Sequence, residues 1–199
     1  MTDQKIDGGK RTWIIASGCA GAVGAGFLAV PFVRSFEPSE RARAAGAPVE
    51  VDISGIKPGE KLTVEWRGKP VWIVRRTPEQ LAELPKLDNE LADPMSQRTA
   101  FATTPEFARN DWRSIKKEYL VVVGICSHLG CSPGDKFTPG PQPSLPNDWQ
   151  GGFLCPCHGS TFDMSGRVFK DKPAPDNLEV PPYQYLSDAR LLIGEEKKA

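Results

Sequence analysis

Two short motifs carry both histidines and four of the five cysteines of this chain. The first is Cys126-Ser-His128-Leu-Gly-Cys131 and the second is Cys155-Pro-Cys157-His158-Gly-Ser160. Each offers one thiol and one imidazole at short spacing, plus a further cysteine. Histidines serving only in packing would have no reason to gather in this way. Clustered Cys and His residues signal a metal site or a disulfide framework, so the fold must bring two loops together. The stretch 129–154 between the motifs is rich in Pro and Gly, which implies loops rather than long helices.

Three chemistries suit these residue types. Two Cys and two His make a tetrahedral zinc set, which leaves Cys131 and Cys157 unexplained. Four cysteines make two bridges, which leaves the histidine placement to chance. Two Cys on one iron and two His on the other hold a two-iron, two-sulfide centre.

Upstream, no charged residue occurs from Thr12 to Val33. A membrane-spanning helix needs about 20 predominantly apolar residues, and this run supplies them. Gly18, Gly21, Gly24 and Gly26 leave small-residue faces that let another helix approach. Cys19 lies mid-span and reads as a packing residue. Pro31, near the end, is tolerated where neighbouring helices or water satisfy the freed carbonyl. A cleaved signal peptide has an apolar region of about 7–15 residues followed by small residues. Here the run is longer and ends on bulky Phe32, Val33 and Phe36, so an uncleaved single-pass anchor over 12–36 is expected, after a short tail over 1–11. Lys5, Lys10 and Arg11 before the span nearly balance Arg34, Arg41 and Arg43 after it, so charge alone does not orient it. Lys10-Arg11 looks like a relaxed twin-arginine export signal, with lysine in place of the first arginine.

After the span, residues 37–49 are small, charged and proline-flanked, and read as a flexible neck with some helical tendency. A head follows over 50–199. The runs VEVDIS, KLTVEWRG and KPVWIVRRT, broken by Gly and Pro, read as strands. Thr77-Pro78-Glu79-Gln80 opens a short helix, with Thr77 as cap, Pro78 in the first turn and Gln80 closing a capping box. Residues 86–118 are polar and irregular, with no assignable chemistry. YLVVVGI over 119–125 is β-prone and leads into the first motif. LEVPPYQYL and ARLLIGE read as two last strands. The 25 Lys and Arg balance the 25 Asp and Glu, so the basic excess of a nucleic-acid binder is missing.

The motif pair resembles that of the Rieske proteins of the cytochrome bc complexes, of bacterial type. Their pattern is Cys-x-His-x-Gly-Cys followed by Cys-x-Cys-His-x-Ser, and every position is matched here. The tail, single anchor, neck and β-rich head match as well. The resemblance implies a single transmembrane helix and a mostly-β head, an antiparallel β-sandwich with an inserted cluster-binding subdomain over about 122–170. It implies one 2Fe-2S cluster held by Cys126, His128, Cys155 and His158, and a disulfide between Cys131 and Cys157. A disulfide in turn implies an oxidising compartment such as the periplasm. The resemblance also implies a hydrogen bond from Ser160 to a bridging sulfide and makes Leu129 a shield over the cluster. Gly130 and Gly159 would allow tight turns. Lys172-Pro173-Ala174-Pro175 resembles the third loop beside the cluster, although Lys172 replaces the usual glycine. Where the family usually carries a tyrosine that donates to a ligand cysteine, this chain has Phe162.

The resemblance also implies an activity, that of the iron–sulfur subunit of a quinol–cytochrome c reductase, a respiratory translocase. Histidines in place of two cysteines make the cluster less negative and raise its potential. Each metal-bound imidazole keeps a free ring nitrogen, so electron and proton uptake are coupled. His158 would meet the quinol, with His128 as the other exposed imidazole. The electron would pass to a c-type cytochrome subunit beside cytochrome b. A dimeric complex in the bacterial inner membrane, in contact with lipid and with the head in the periplasm, is the implied setting. The alternatives are a zinc-stabilised tethered binding domain and a Rieske ferredoxin or oxygenase component. The latter are usually soluble and lack the extra cysteine pair, and this chain has no histidine left to build the second iron site of an oxygenase.

Overall fold

Alternating and continuous apolar runs in the head form six of nine strands in a computed structural model that describes residues 8–98 and 100–196, and the other three lie among the motif loops. The chain divides into two units, residues 1–44 and 45–199. In the first, Gly8–Ser35 is one helix, α1, with no buried residue. It is long and apolar enough to cross a membrane. Its first described residues, Gly8–Arg11, fall within the stretch read as the tail. The remaining tail residues, 1–7, lie outside the described residues. Within the neck segment, Glu40–Ala45 form a short helix, α2. The Ser39 hydroxyl accepts from the Ala42 N–H at 3.2 Å at its start, as an N-cap does.

The second unit holds three antiparallel three-stranded sheets. The base sheet orders β2 (Lys61–Trp66), β3 (Lys69–Arg75) and β4 (Tyr119–Val123). Register Trp66↔Lys69 leaves Arg67-Gly68 as the turn, with φ of 54° and 71°. That is the two-residue hairpin whose twist suits the strands. β4 is buried along its whole length, which explains why its sequence is a continuous apolar run rather than an alternating one. The second sheet pairs β1 (Val49–Asp52) with β9 (Arg190–Ile193) and β8 (Tyr183–Ser187). β8 starts only at Tyr183, later than LEVPPYQYL suggests, because Pro181 and Pro182 have no N–H to give a ladder. Between β3 and β4, α3 (Pro78–Glu83) carries the expected capping box. Gln80 N–H donates to Thr77 Oγ1 at 3.3 Å, and Thr77 N–H donates to Gln80 Oε1 at 3.0 Å.

The third sheet, β5 (Gly134–Lys136), β6 (Gly152–Leu154) and β7 (Thr161–Phe162), lies among the cysteine motifs. Strands of two and three residues are too short to show a period. Gly152 is required there, since a Cβ would stand 2.0 Å from the Phe162 carbonyl oxygen.

Residues 86–118, polar and uninformative as sequence, contribute to a buried polar lattice. Arg113 donates to the carbonyls of Ser165, Gly166 and Leu178, and Arg76 donates to those of Trp112, Met164 and Lys117. Both guanidiniums are buried, and burial draws them below their ordinary range. Guanidiniums tolerate burial when most of their donors are matched; both terminal nitrogens of Arg113 are, while its Nε has no partner. Here they tie the segment after the second motif to the base sheet.

Candidate metal centre

β4 runs through Gly124-Ile125 into Cys126, and β6 runs directly into Cys155. The second motif is the turn between β6 and β7, whose Leu154 and Thr161 are paired across the ladder. The two motif loops share one backbone design. Cys126 N–H donates to Cys131 O at 2.8 Å, and Cys155 N–H donates to Ser160 O at 2.8 Å. Gly130 N–H returns to Cys126 O at 3.1 Å, and Gly159 N–H to Cys155 O at 3.0 Å. The fifth residue of each loop needs positive φ, 81° at Gly130 and 74° at Gly159, a conformation that glycine adopts without steric cost.

Cys131 and Cys157 are joined by a disulfide, which links the two loops. Cys126 and Cys155 are free thiols, and both are buried. The Cys155 sulfur lies within 4.8 Å of the disulfide sulfurs, but only Cys155 of those three is available to a metal. The His128 and His158 rings stand 4.7 Å apart, centroid to centroid, and nearly perpendicular at 82°. His158 is exposed and His128 half-buried. Leu129, at the tip of the first loop, is 70% exposed.

Burial pushes the Cys126 thiol above its ordinary pKa, opposed by the backbone N–H of His128 and the Ser160 hydroxyl, while Cys155 adds to the rise. Two buried thiols that influence one another, each with an imidazole from its own loop, form a coherent donor set. Metal binding would displace the thiol protons. The sulfur side is enclosed and the imidazole side is open. This arrangement fits a centre with two thiolate and two imidazole ligands.

A third loop braces both motifs. Ala174 N–H donates to the buried Ser160 hydroxyl at 3.0 Å, which leaves the hydroxyl proton free to point elsewhere. Ser127 Oγ donates to Asp176 O at 2.6 Å and accepts from Asp176 N–H at 3.3 Å. Lys172 is exposed. Phe162 is fully buried and pairs with Phe153 across the ladder. Ser127 and Asp176 are site residues that motif reading does not single out. No local signal marks Asp176, because the N–H groups its carboxylate accepts from, those of Phe101 and Ala102, are far upstream in the sequence.

The fold and the paired loops define a Rieske-type iron–sulfur domain. The family described as "Rieske [2Fe-2S] domain" matches residues 48–183. That described as "Ubiquitinol-cytochrome C reductase Fe-S subunit TAT signal" matches residues 13–39. The chain is 55% identical over 188 residues to the ubiquinol-cytochrome c reductase iron-sulfur subunit of Allochromatium vinosum, covering 94% of this chain and 89% of that one. It is 40% identical over 184 residues to the protein of that name from Bradyrhizobium diazoefficiens, covering 90% of each. It is 43% identical over 170 residues to a mitochondrial cytochrome b-c1 complex subunit Rieske-1 of Nicotiana tabacum, covering 84% of this chain and 55% of that one. This chain belongs to the family of ubiquinol–cytochrome c reductase iron–sulfur subunits.

Proposed function

We propose that this chain takes one electron from a quinol at the outer membrane face and delivers it to a c-type cytochrome, with release of the quinol protons. Cys126, His128, Cys155 and His158 are the ligands of its 2Fe-2S cluster. The observation that carries the reading is the pair of imidazoles, one from each stapled loop, 4.7 Å apart at the open side of two buried thiols. A zinc site explains the ligand types but gives no use for imidazoles left open to a redox partner.

When bound, the cluster supplies one-electron chemistry coupled to imidazole protonation. His158, the more exposed imidazole, holds or releases a proton at its free ring nitrogen and meets the quinol. His128 is positioned beside it. The Cys126 and Cys155 side chains and the disulfide keep water from the sulfur side. The Ser160 hydroxyl, already accepting from Ala174 N–H, has its proton to give toward the sulfurs. Leu129 covers the loop tip. Hydrogen bonds of this kind raise a cluster's potential.

In this reading residues 1–11 are a cytoplasmic tail and 12–36 the single-pass anchor in the bacterial inner membrane. Residues 37–49 form a neck that lets the head move between cytochrome b and the c-type cytochrome of a dimeric complex. The cluster-binding subdomain spans about 122–170 of the periplasmic head at 50–199. The test is iron and acid-labile sulfide analysis of the membrane-purified chain, with low-temperature EPR and identification of co-purifying haem subunits. Sulfide equimolar with iron and a Rieske-type signal are expected. Zinc without sulfide would refute the proposal. A neck stiffened with prolines should slow turnover without changing the EPR signal; unchanged turnover would remove the shuttle.

A further inference from the structure

Asp176 is a buried carboxylate to which the reading above gives no part. It is 2% exposed. Its Oδ2 accepts from the backbone N–H groups of Phe101 at 2.6 Å and Ala102 at 3.1 Å. Among the described residues no ion pair to it is found. Arg98 gives its guanidinium to the neighbouring Pro175 carbonyl at 3.0 Å from the exposed side. Buried charges are ordinarily paired with an opposite charge. Two neutral amides hold this carboxylate in place but leave its charge uncancelled.

Its position gives that charge a target. The Asp176 main chain is bonded in both directions to the Ser127 hydroxyl. Ser127 stands between Cys126 and His128, both proposed ligands. The residue that carries this charge is therefore bonded through its main chain to the first ligand loop, in an interior where salt screens a charge little.

We propose that Asp176 is a potential-setting residue whose charge opposes arrival of the electron and holds the reduction potential of the centre down. This rests on the cluster reading above. It acts in the same direction as the missing hydroxyl at Phe162. It also gives part of residues 86–118 a purpose, since the amides of Phe101 and Ala102 keep the carboxylate buried.

The test is an EPR-monitored redox titration of the full chain in its purified complex. Asp176→Asn removes the charge while keeping the shape and an oxygen for both N–H groups. Its midpoint should rise by an amount equivalent to about a tenfold change in the reduction equilibrium, about 59 mV for a one-electron couple. The rise should persist at high salt, with the EPR line shape unchanged. Asp176→Glu keeps the charge and should stay near the wild-type midpoint. Ser127→Ala breaks the link without altering charge and should give no rise. If Asp176→Asn fails to load the cluster, Asp176→Ser, with a hydroxyl acceptor, makes the same comparison. An unchanged or lower midpoint in the neutral variants, or an equal rise in Ser127→Ala, overturns the inference. Wild-type chain without acid-labile sulfide overturns the cluster reading itself, whereas a flat titration of a normal cluster overturns this inference alone.

Discussion

The indole of Trp72 stacks on the phenyl ring of Phe153, with centroids 5.1 Å apart and planes 17° from parallel. Trp72 belongs to β3 of the base sheet and Phe153 to β6 of the sheet among the motifs. Lys61 lies over the same indole at 4.3 Å and pairs with Asp135 of β5 at 2.6 Å. A Cβ on Gly124 would stand 2.1 Å from the Trp72 ring, so the chain entering the first motif is shaped around this side chain.

Trp72→Ala should therefore loosen the seat of the cluster sheet while leaving all four proposed ligands in place. A buried Trp replaced by Ala costs about 3–5 kcal/mol. The expected result on heating is bleaching of the visible cluster absorbance before loss of far-UV ellipticity. Coincident loss at the wild-type temperature would contradict the stack's role.

Phe162→Tyr should raise the reduction potential. The phenyl ring is fully buried in β7, two residues beyond Ser160, where the family usually places a donor to a ligand cysteine. A hydrogen bond to a charged group is worth about 1.5–3 kcal/mol, and a tenfold gain corresponds to about 59 mV for one electron. A redox titration showing no upward shift would mean that the added hydroxyl finds another partner.

Much of this was legible in the residues. The capping box at Thr77 and Gln80, the strand leading into Cys126 and the long apolar run of α1 each follow a local rule, and each formed. The motif pair marked the loops because its residue types are scarce elsewhere. What the sequence hid was of two kinds. β5, β6 and β7 are too short for a period and exist because the loops hold them in register. Arg76, Arg113, Arg167 and Asp176 look like surface residues by type, and are buried only because backbone groups distant in sequence satisfy them. Tertiary hydrogen bonding of that sort leaves no local pattern.

Removing the disulfide should weaken the centre from the protein side. Cys131 and Cys157 close a separation of 26 residues, and a bridge over a loop of that size contributes about 3–4 kcal/mol. In Cys131→Ser/Cys157→Ser the two loops rely on β5–β6–β7 and the third loop alone. Cluster content after purification should fall well below wild type, and denaturant midpoints should drop. Equal cluster content and midpoints would show that the third loop suffices.

The alkaline limit of stability should be set partly by Tyr183. Burial pushes its pKa up to about 12, with the Ile115 N–H bond opposing the rise. Burial, followed by the neighbouring Tyr183, raises Tyr185 as well. An unfolded tyrosine ionises near about 10. A raised folded pKa gives a contribution that is complete below the unfolded value and is lost as pH rises through the folded one. Stability from Tyr183 should thus fall between pH 10 and about 12. Tyr183→Phe should cost about 1 kcal/mol at pH 7 through the lost bond, yet flatten that alkaline fall in urea titrations. An equally steep fall in the variant would assign the transition elsewhere.

Asp163 and Arg167 form a fully buried pair one residue beyond Phe162, with Arg167 Nε donating to Asp163 Oδ2 at 2.7 Å. The other carboxylate oxygen accepts from the N–H groups of Ser165 and Arg167, both at 2.8 Å. Arg167 also reaches Asp88 at 2.8 Å and the Leu84 carbonyl at 2.7 Å. Removing one partner strands the other charge in the interior, which costs about 3–5 kcal/mol, whereas removing both is far cheaper. Asp163→Asn and Arg167→Met should each be strongly destabilising, and the double variant less so than their sum. A urea double-mutant cycle reads this coupling directly. Additive costs would show that each side chain is held by its backbone partners rather than by the other. Because the pair anchors the turn that follows Ser160 and Phe162, the single variants should also lose cluster before they lose the base sheet.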